Sequence, residues 1–401
     1  MERKLILCRC REQFLAALWE NGKIMDLVPA DSEEEIRAGN IYTGKVEKVI
    51  PGMHMALLRI AEGVQCYYNT SENTRPFFTR KSGRPELVPG DELIIQIKKE
   101  GNARKQPIAT GCLEFAGEYA VLTSGNTWTG VSKKLNRSGR QRLLDWLEGY
   151  RNRQDGEPEW GVVLRTSAAH ATEAELEAEL DRLLAGYRRV VKAGQTRTCF
   201  SCLYRGPAPW VSLISGYREG LTEIVCEEAL RNEVEEALLD RFPQELSLLR
   251  EYRDEGLPLA KCYSLETVLD EALGEKVWLK SGGWLLIQPT EAMTVIDVNS
   301  GKSTRKSRSV LEINLEAAKE IARQVRLRNL SGIIMTDFIN LDDKNEQKQL
   351  LDSFQRELSL ARPAGQVIDM TPLQLVEVTR QKIRGTLKES IRQKGGLQKH
   401  E

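Results

Sequence analysis

Residues 293–341 read MTVIDVNSGKSTRKSRSVLEINLEAAKEIARQVRLRNLSGIIMTDFINL. Two short runs rich in β-branched residues, 293–298 and 332–339, read as strands, and each carries one aspartate near its end, Asp297 and Asp337. The segment 309–329 between them reads as a helix. Ile313, Ala317, Ile321 and Val325 recur every four residues, and Leu311, Leu315, Ala318 and Ala322 widen the stripe. Strand, helix and strand in this order form a crossover, which makes the two strands parallel within one sheet. Ligands of such sheets bind beyond the carboxyl ends of the strands. The expectation is that two carboxylates, 40 residues apart in sequence, meet at one rim.

The chemistry of that rim follows from its residue types. Mg2+ is a hard ion that takes one or two carboxylates and completes its shell with water and phosphate oxygens. Asp297 and Asp337 are the expected ligands, and Asn299 adds an amide for positioning. Lys302, Arg305, Lys306 and Arg308 make the following loop cationic, as a phosphate backbone requires. A lone aspartate more often caps a helix or pairs with an arginine. Two acids at matching strand ends, beside a glycine and a basic loop, favour metal binding.

Composition sets the outer bounds. A chain of 401 residues exceeds the usual size of one core, so several domains are expected. With 58 basic and 58 acidic residues the net charge is zero, which excludes the global charge excess of many nucleic-acid binders. Local imbalance remains: Lys/Arg dominate residues 373–394, and acids gather in 173–181 and 227–236. No apolar run approaches the ~18 residues of a membrane span, and the first residues lack a secretion signal, so a cytoplasmic location is expected. The eight cysteines are scattered, as reduced thiols are. Of three histidines, 54, 170 and 400, no two are near in sequence. Metal-free RNA cleavage usually needs a histidine pair, so a nuclease built on this chain would depend on metal.

Taken in order, residues 2–28 read as three strands, with a hairpin turn at Asn21-Gly22 and with Cys8 and Cys10 as strand packing. Five short runs between residues 38 and 118 suit a small Greek-key barrel of the OB type. Such barrels stack single-stranded bases on aromatics in a cationic groove, and Lys98, Lys99, Arg104 and Lys105 are candidate backbone contacts. Residues 119–210 read as a further unit, with helices over 139–152 and 172–191 and a strand at 161–168 between them. Cys199 and Cys202 form half of a zinc-site pattern, with no second half in the sequence. Residues 211–273 read as a strand followed by helices over 229–239 and 265–273. The last unit opens with a hairpin around Ser281-Gly282-Gly283. After the central crossover come a helix over 343–360, a strand QVIDM and a basic helix beyond Pro372.

TVIDVNSGK, IARQVRLRNLSGIIMTDFINL and PLQLVEVTR together resemble the catalytic core of the ribonuclease E/G family of bacterial endoribonucleases. GNIYTGKVEKVIPG with ALLRIAEG resembles the RNA-binding barrel embedded in the same family. The resemblance implies an α+β, multidomain chain. An OB-type barrel (38–118) and a sensor subdomain (119–210) would be inserted in a ribonuclease-H-like subdomain (1–37 and 211–273), followed by a deoxyribonuclease-I-like α/β catalytic subdomain (274–401). It implies that Asp297 and Asp337 hold Mg2+, or Mn2+ in its place, with Asn299 completing the catalytic set. It places Tyr67 as a stacking aromatic, Leu57 where the family usually has a second one, and Lys105 and Arg380 as RNA contacts. It assigns Gly130, Val131, Arg165 and Thr166 to a pocket for a 5′-monophosphate, the group a guanidinium fork and backbone amides suit. Well-known members carry a CPxC zinc link after the catalytic core. Residues 385–401 contain no cysteine, so zinc is not expected and any homo-oligomer would form without that link.

The leading expectation is therefore a Mg2+-dependent endoribonuclease acting on single-stranded RNA in processing and decay, leaving 5′-phosphate and 3′-hydroxyl ends. Two rivals share the features: a non-catalytic RNA-binding protein on the same scaffold, and a metal phosphoesterase for another substrate, since two acids do not name a substrate.

Overall fold

The computed structural model describes residues 2–11, 13–30, 36–101, 105–154, 159–254, 256–301, 309–382 and 384–395. The chain forms two compact units: Met1–Glu33 together with Ala208–Glu401, and Glu34–Pro207.

In the first unit, alternating apolar residues build two sheets. One has the strand order Leu249–Tyr252, Leu221–Glu227, Arg3–Cys10, Gln13–Glu20, Lys23–Pro29. The strand Arg3–Cys10 pairs parallel with Leu221–Glu227 and antiparallel with Gln13–Glu20. Asn21 and Gly22 take positive φ of 45° and 89°, the backbone a tight hairpin needs. Cys8 and Cys10 are buried in the strand, as the alternation required.

The second sheet carries the opening stretch. Its order is Lys276–Trp278, Trp284–Pro289, Thr294–Asn299, Gly332–Asp337, Leu375–Arg380, Gly365–Met370. Thr294–Asn299 and Gly332–Asp337 are adjacent and parallel, joined by the helix Val310–Leu327. Ser309 caps that helix in a capping box with Glu312, which fixes its start. Ile296, Val298, Ile334, Val376 and Val378 pack beneath Ala317, Ile321 and Val325 of this helix and Leu350 and Phe354 of the helix Lys344–Ser359. One sheet face is thereby covered, and the residues that alternate with those core positions line the other.

Two expectations fail here for one physical reason, the ambiguity of short apolar runs. Residues 211–217 form a helix, Val211–Tyr217, before the strand Leu221–Glu227 begins. Beyond Pro372 the chain first makes the strand Leu375–Arg380, and the basic helix starts only at Leu387. Val376, Val378 and Arg380 alternate with Leu375, Glu377 and Thr379 at a strand's period of two, and only the first set is buried.

The second unit contains a closed five-stranded barrel. Ile41–Ile50, Met55–Ala61, Val64–Asn69, Ile108–Thr110 and Glu92–Lys99 follow one another, and the last pairs back to the first. Beside it lies a four-stranded sheet, in the order Glu114–Ala116, Ala120–Ser124, Trp160–Leu164, Thr129–Val131, with the helices Arg137–Asn152 and Glu173–Thr196. The latter helix runs past the expected end at residue 191 to Thr196, and its Gly194 packs closely on the barrel strand Glu92–Lys99. A Cβ there would meet Ile94 at 2.4 Å. Among the described residues no helix is long and apolar enough to cross a membrane.

Candidate functional site

Asp297 and Asp337 are register partners on adjacent parallel strands. Asp297 lies between buried Ile296 and Val298, and Asp337 between buried Thr336 and Phe338. Strand alternation therefore sends both carboxylates to the face opposite the helices. The expected meeting of the two acids occurs on the open sheet face, near the carboxyl ends of the strands.

Asn299, two residues on and on the same face, donates from Nδ2 to Asp297 Oδ2 at 2.7 Å. This bond orients the Asp297 carboxylate. The Asp337 carboxylate accepts no hydrogen bond and forms no ion pair among the described residues. Partial burial, and then the neighbouring Asp297 charge, raise its pKa above the ordinary aspartate value. Two carboxylates paired in register, whose repulsion no cation among the described residues offsets, are a hard-oxygen donor pair that fits Mg2+. Among the described residues no group of three or more His, Cys, Asp or Glu side chains converges, so a cation here would have two carboxylate ligands. The basic loop residues Lys302, Arg305, Lys306 and Arg308 lie outside the described residues, as does Arg104.

The raised Asp337 pKa has a thermodynamic consequence. The folded protein binds that proton more tightly than the unfolded chain, so ionising Asp337 opposes folding. Asp337→Asn is therefore expected to raise the Tm of metal-free protein at neutral pH. The advantage over wild type should vanish as pH falls through the raised pKa, where wild type takes up its proton. The side chain is exposed, so solvent screening keeps the effect small. Thermal denaturation of both proteins across pH in chelator checks it.

A residue that sequence reading missed supports the strand end. Asn314, fully buried, donates from Nδ2 to the Ile339 carbonyl at 2.7 Å and accepts from the Ile339 amide at 3.1 Å. Its helix thus clamps the backbone two residues after Asp337. The available signal was an amide inside an otherwise apolar stripe, which burial makes costly unless it is paired.

Arg380, expected to meet a phosphate, is turned inward. It is 3% exposed and donates to the carbonyls of Pro363 and Leu330 and to Asn329 Oδ1. The reason is register: Arg380 shares the buried face of its strand with Val376 and Val378. It ties the sheet edge to the loop after the crossover helix, and it has no surface from which to contact RNA.

In the second unit, Tyr67 is 38% exposed on the outside of the barrel, and its register partner is Leu57. The row extends through Lys48, opposite Leu57, through Ile108, opposite Tyr67, and on to Lys99. Apolar and aromatic side chains thus sit between two lysines across the strands. Lys105 is exposed in the segment just before Ile108–Thr110. Lys98 pairs with Glu72 at 3.2 Å.

Gly130 and Val131 pair parallel with Val163 and Leu164. Val131 is in the core, so only its backbone faces the edge. Arg165 and Thr166 leave the end of the neighbouring strand and are exposed. Thr166 Oγ1 lies 3.1 Å from Ser132 Oγ, a hydroxyl that the sequence reading did not single out. Arg165 Nη1 donates to the Gly117 carbonyl at 2.8 Å, which fixes the guanidinium with donors to spare. Cys199 and Cys202 flank Phe200, which has φ of 71°, in a turn beside the barrel strand Ile41–Ile50.

The geometry can be set beside known proteins. The sequence profile of the ribonuclease E/G family matches residues 114–383. Ribonuclease E of Synechocystis sp. is 29% identical over 394 residues, covering 95% of this chain and 57% of its own length. Ribonuclease E of Haemophilus influenzae is 30% identical over 97% of this chain and 43% of its own length. Ribonuclease G of Escherichia coli is 30% identical over 366 residues, covering 87% of this chain and 73% of its own length. The chain thus spans little more than half the length of these ribonuclease E relatives, or less. The paired acids, the crossover that joins them and the barrel all lie within the aligned extent, and on these grounds the chain belongs to the ribonuclease E/G family.

Proposed function

We propose that this protein is a Mg2+-dependent endoribonuclease that cleaves single-stranded RNA and leaves 5′-phosphate and 3′-hydroxyl ends. The observation that carries the reading is the register pairing of Asp297 with Asp337 on an open sheet face, with Asn299 bonded to the first. The six-stranded sheet with helices on one face is in keeping with a deoxyribonuclease-I-like subdomain, and the sheet containing the N-terminal strands with a ribonuclease-H-like one. Bound Mg2+ supplies Lewis acidity at the phosphate and makes water a better nucleophile.

The chain's own residues do the rest. Asp297 and Asp337 hold the cation through their carboxylate oxygens, and holding it relieves their mutual repulsion. Asn299 keeps Asp297 in the productive orientation. Asn314 holds the backbone that follows Asp337. In the proposed direction of cleavage water attacks phosphorus in line, the P–O3′ bond breaks, the 3′-oxygen takes up a proton from solvent, and the phosphate stays on the 5′ end of the downstream product.

The barrel row supplies single-strand affinity. Tyr67 offers a face for a base, and Lys99, Lys48 and Lys105 offset backbone charge. Tyr67→Ala is expected to weaken binding of a short single-stranded RNA by about 1–3 kcal/mol, and Leu57→Phe to strengthen it by restoring a second ring beside the first. Fluorescence anisotropy at fixed salt measures both. The Ser132–Thr166 hydroxyl pair with Arg165 and the backbone of Gly130 and Val131 forms the site for a 5′-monophosphate. The deciding experiment is cleavage of one RNA sequence bearing a 5′-monophosphate or a 5′-hydroxyl, with Mg2+ and in chelator. Faster cleavage of the monophosphate in Mg2+ and none in chelator is expected. Binding without cleavage under every divalent ion would identify a non-catalytic RNA binder instead.

A further inference from the structure

We propose that Trp278 and Trp284, with Lys276 between them, form a stacking platform for a nucleobase next to the cleaved phosphate. The inference rests on the nuclease reading above and adds a substrate contact to it. Two rows of residues cross the open sheet face. In one, Lys276 pairs with Leu286, Leu286 with Asp297 and Asp297 with Asp337; in the other, Trp278 pairs with Trp284 and Trp284 with Asn299. Val277, Leu285, Ile296 and Val298 alternate with these residues and fill the core beneath. The two tryptophans, the lysine and the acid pair therefore share one face. At the ~4.8 Å spacing of neighbouring strands, Trp284 stands one strand and Trp278 about 10 Å from Asn299.

The side chains form a defined constellation. The indole centroids are 5.7 Å apart at an interplanar angle of 62°. The Lys276 ammonium sits 4.0 Å from the Trp278 centroid and 4.2 Å from that of Trp284. A cation seated against two indoles holds both rings in place. Trp278 nonetheless remains 65% exposed on an edge strand. An indole in that position contributes little to the core, whose place under this strand is taken by Val277. What it presents is a rigid aromatic face beside a positive charge, in line with two carboxylates suited to a metal-bound phosphate. A nucleobase stacks on such a face whatever its identity, and the ammonium offsets the adjoining backbone charge. The complementarity is to a single-stranded polyanion with exposed bases, one nucleotide of which extends from the acid pair toward the edge strand.

The test uses the full chain and a short single-stranded RNA with one cleavage site, together with versions carrying an abasic residue at each position flanking that site. Trp278→Ala is expected to lower kcat/KM on the intact RNA about tenfold, and Trp278→Phe to restore most of it. At the contacted position the abasic substrate should be cut about tenfold more slowly by wild type, with no further loss in Trp278→Ala. Equal losses on intact and abasic RNA would mean a structural role, and native kcat/KM on both would mean no contact; either overturns the proposal. So does a change of oligomeric state in sedimentation with cleavage unaltered, which would make the platform a protein interface. Should wild type not cut RNA at all, the nuclease reading fails. Anisotropy of the same RNAs then still decides the platform, by whether Trp278→Ala and the abasic residue weaken binding non-additively.

Discussion

Asp297→Asn or Asp337→Asn is expected to reduce Mg2+-dependent cleavage of single-stranded RNA by at least ~10³-fold, the several kcal/mol that metal charge stabilisation contributes to such a transition state. The two changes should not add. Either one halves a two-carboxylate donor set, so the double variant should be about as slow as each single one. The reason lies in the pairing: the two acids are opposite each other on parallel strands, and Asp337 has no cationic partner among the described residues. A carboxylate that served packing would have one. Asn keeps the size and one oxygen of Asp, so the fold should persist, and Asp337→Asn should even stabilise the metal-free protein. Loss of activity alongside undiminished Tm separates a ligand role from a structural one. Asp297→Asn tests a second link, because Asn299 donates to Asp297 Oδ2. Asn299→Ala should cost less than either acid, because it loosens one ligand without removing it. Full Mg2+-dependent turnover in either Asp→Asn variant would end the assignment.

The centre of the site was legible because its signals are local. The four-residue recurrence from Ile313 to Val325 announces a helix and its buried face, and strand–helix–strand imposes parallel pairing. Together these bring Asp297 and Asp337 to the same end of two parallel strands. Alternation then decides which face they occupy, although the rim expected for open parallel sheets drew attention to the strand ends instead. What was not legible depends on partners distant in sequence. The family resemblance of PLQLVEVTR makes Arg380 an RNA contact. Only the pairing of its strand with Gly332–Asp337 and Gly365–Met370 shows that it points into the structure. Asn314 became intelligible once Ile339 was seen beside it, and Ser132 once Thr166 was. Trp278 and Trp284 carried no meaning in a hairpin read alone. Their place beside Asn299 and Asp297 comes from a register that two further strand pairings set.

Arg326→Ala is expected to destabilise the first unit by about 3–5 kcal/mol, the usual cost of removing one partner from a buried charge cluster. Arg326 lies near the end of the helix Val310–Leu327, 2% exposed. Its guanidinium reaches Asp26 at 2.7 Å and Glu20 at 3.0 Å, and lies 4.8 Å from the Tyr217 ring centroid. Burial works against its charge, yet the attraction of Asp26, joined by Glu20, outweighs this and raises its pKa. Alanine would leave Asp26 and Glu20 facing each other in the interior, with Arg3 beside Glu20 at 3.2 Å. Stability would fall chiefly because those charges lose their counterion, and the expected readout is a Tm drop of roughly 10 °C or more. That cause makes a distinguishing prediction. Arg326→Met combined with Asp26→Asn and Glu20→Gln should recover most of the loss, since amides can be buried at far lower cost than ions. Arg326→Met alone should not, although it fills the same volume. If both behave alike, packing rather than charge holds the helix. The same helix carries Asn314, which fixes the backbone after Asp337, so a loosened Arg326 anchor should also slow cleavage at temperatures where the protein remains folded. The acid pair is placed by the crossover, and the crossover helix is pinned at its far end by a cluster that takes no part in the chemistry.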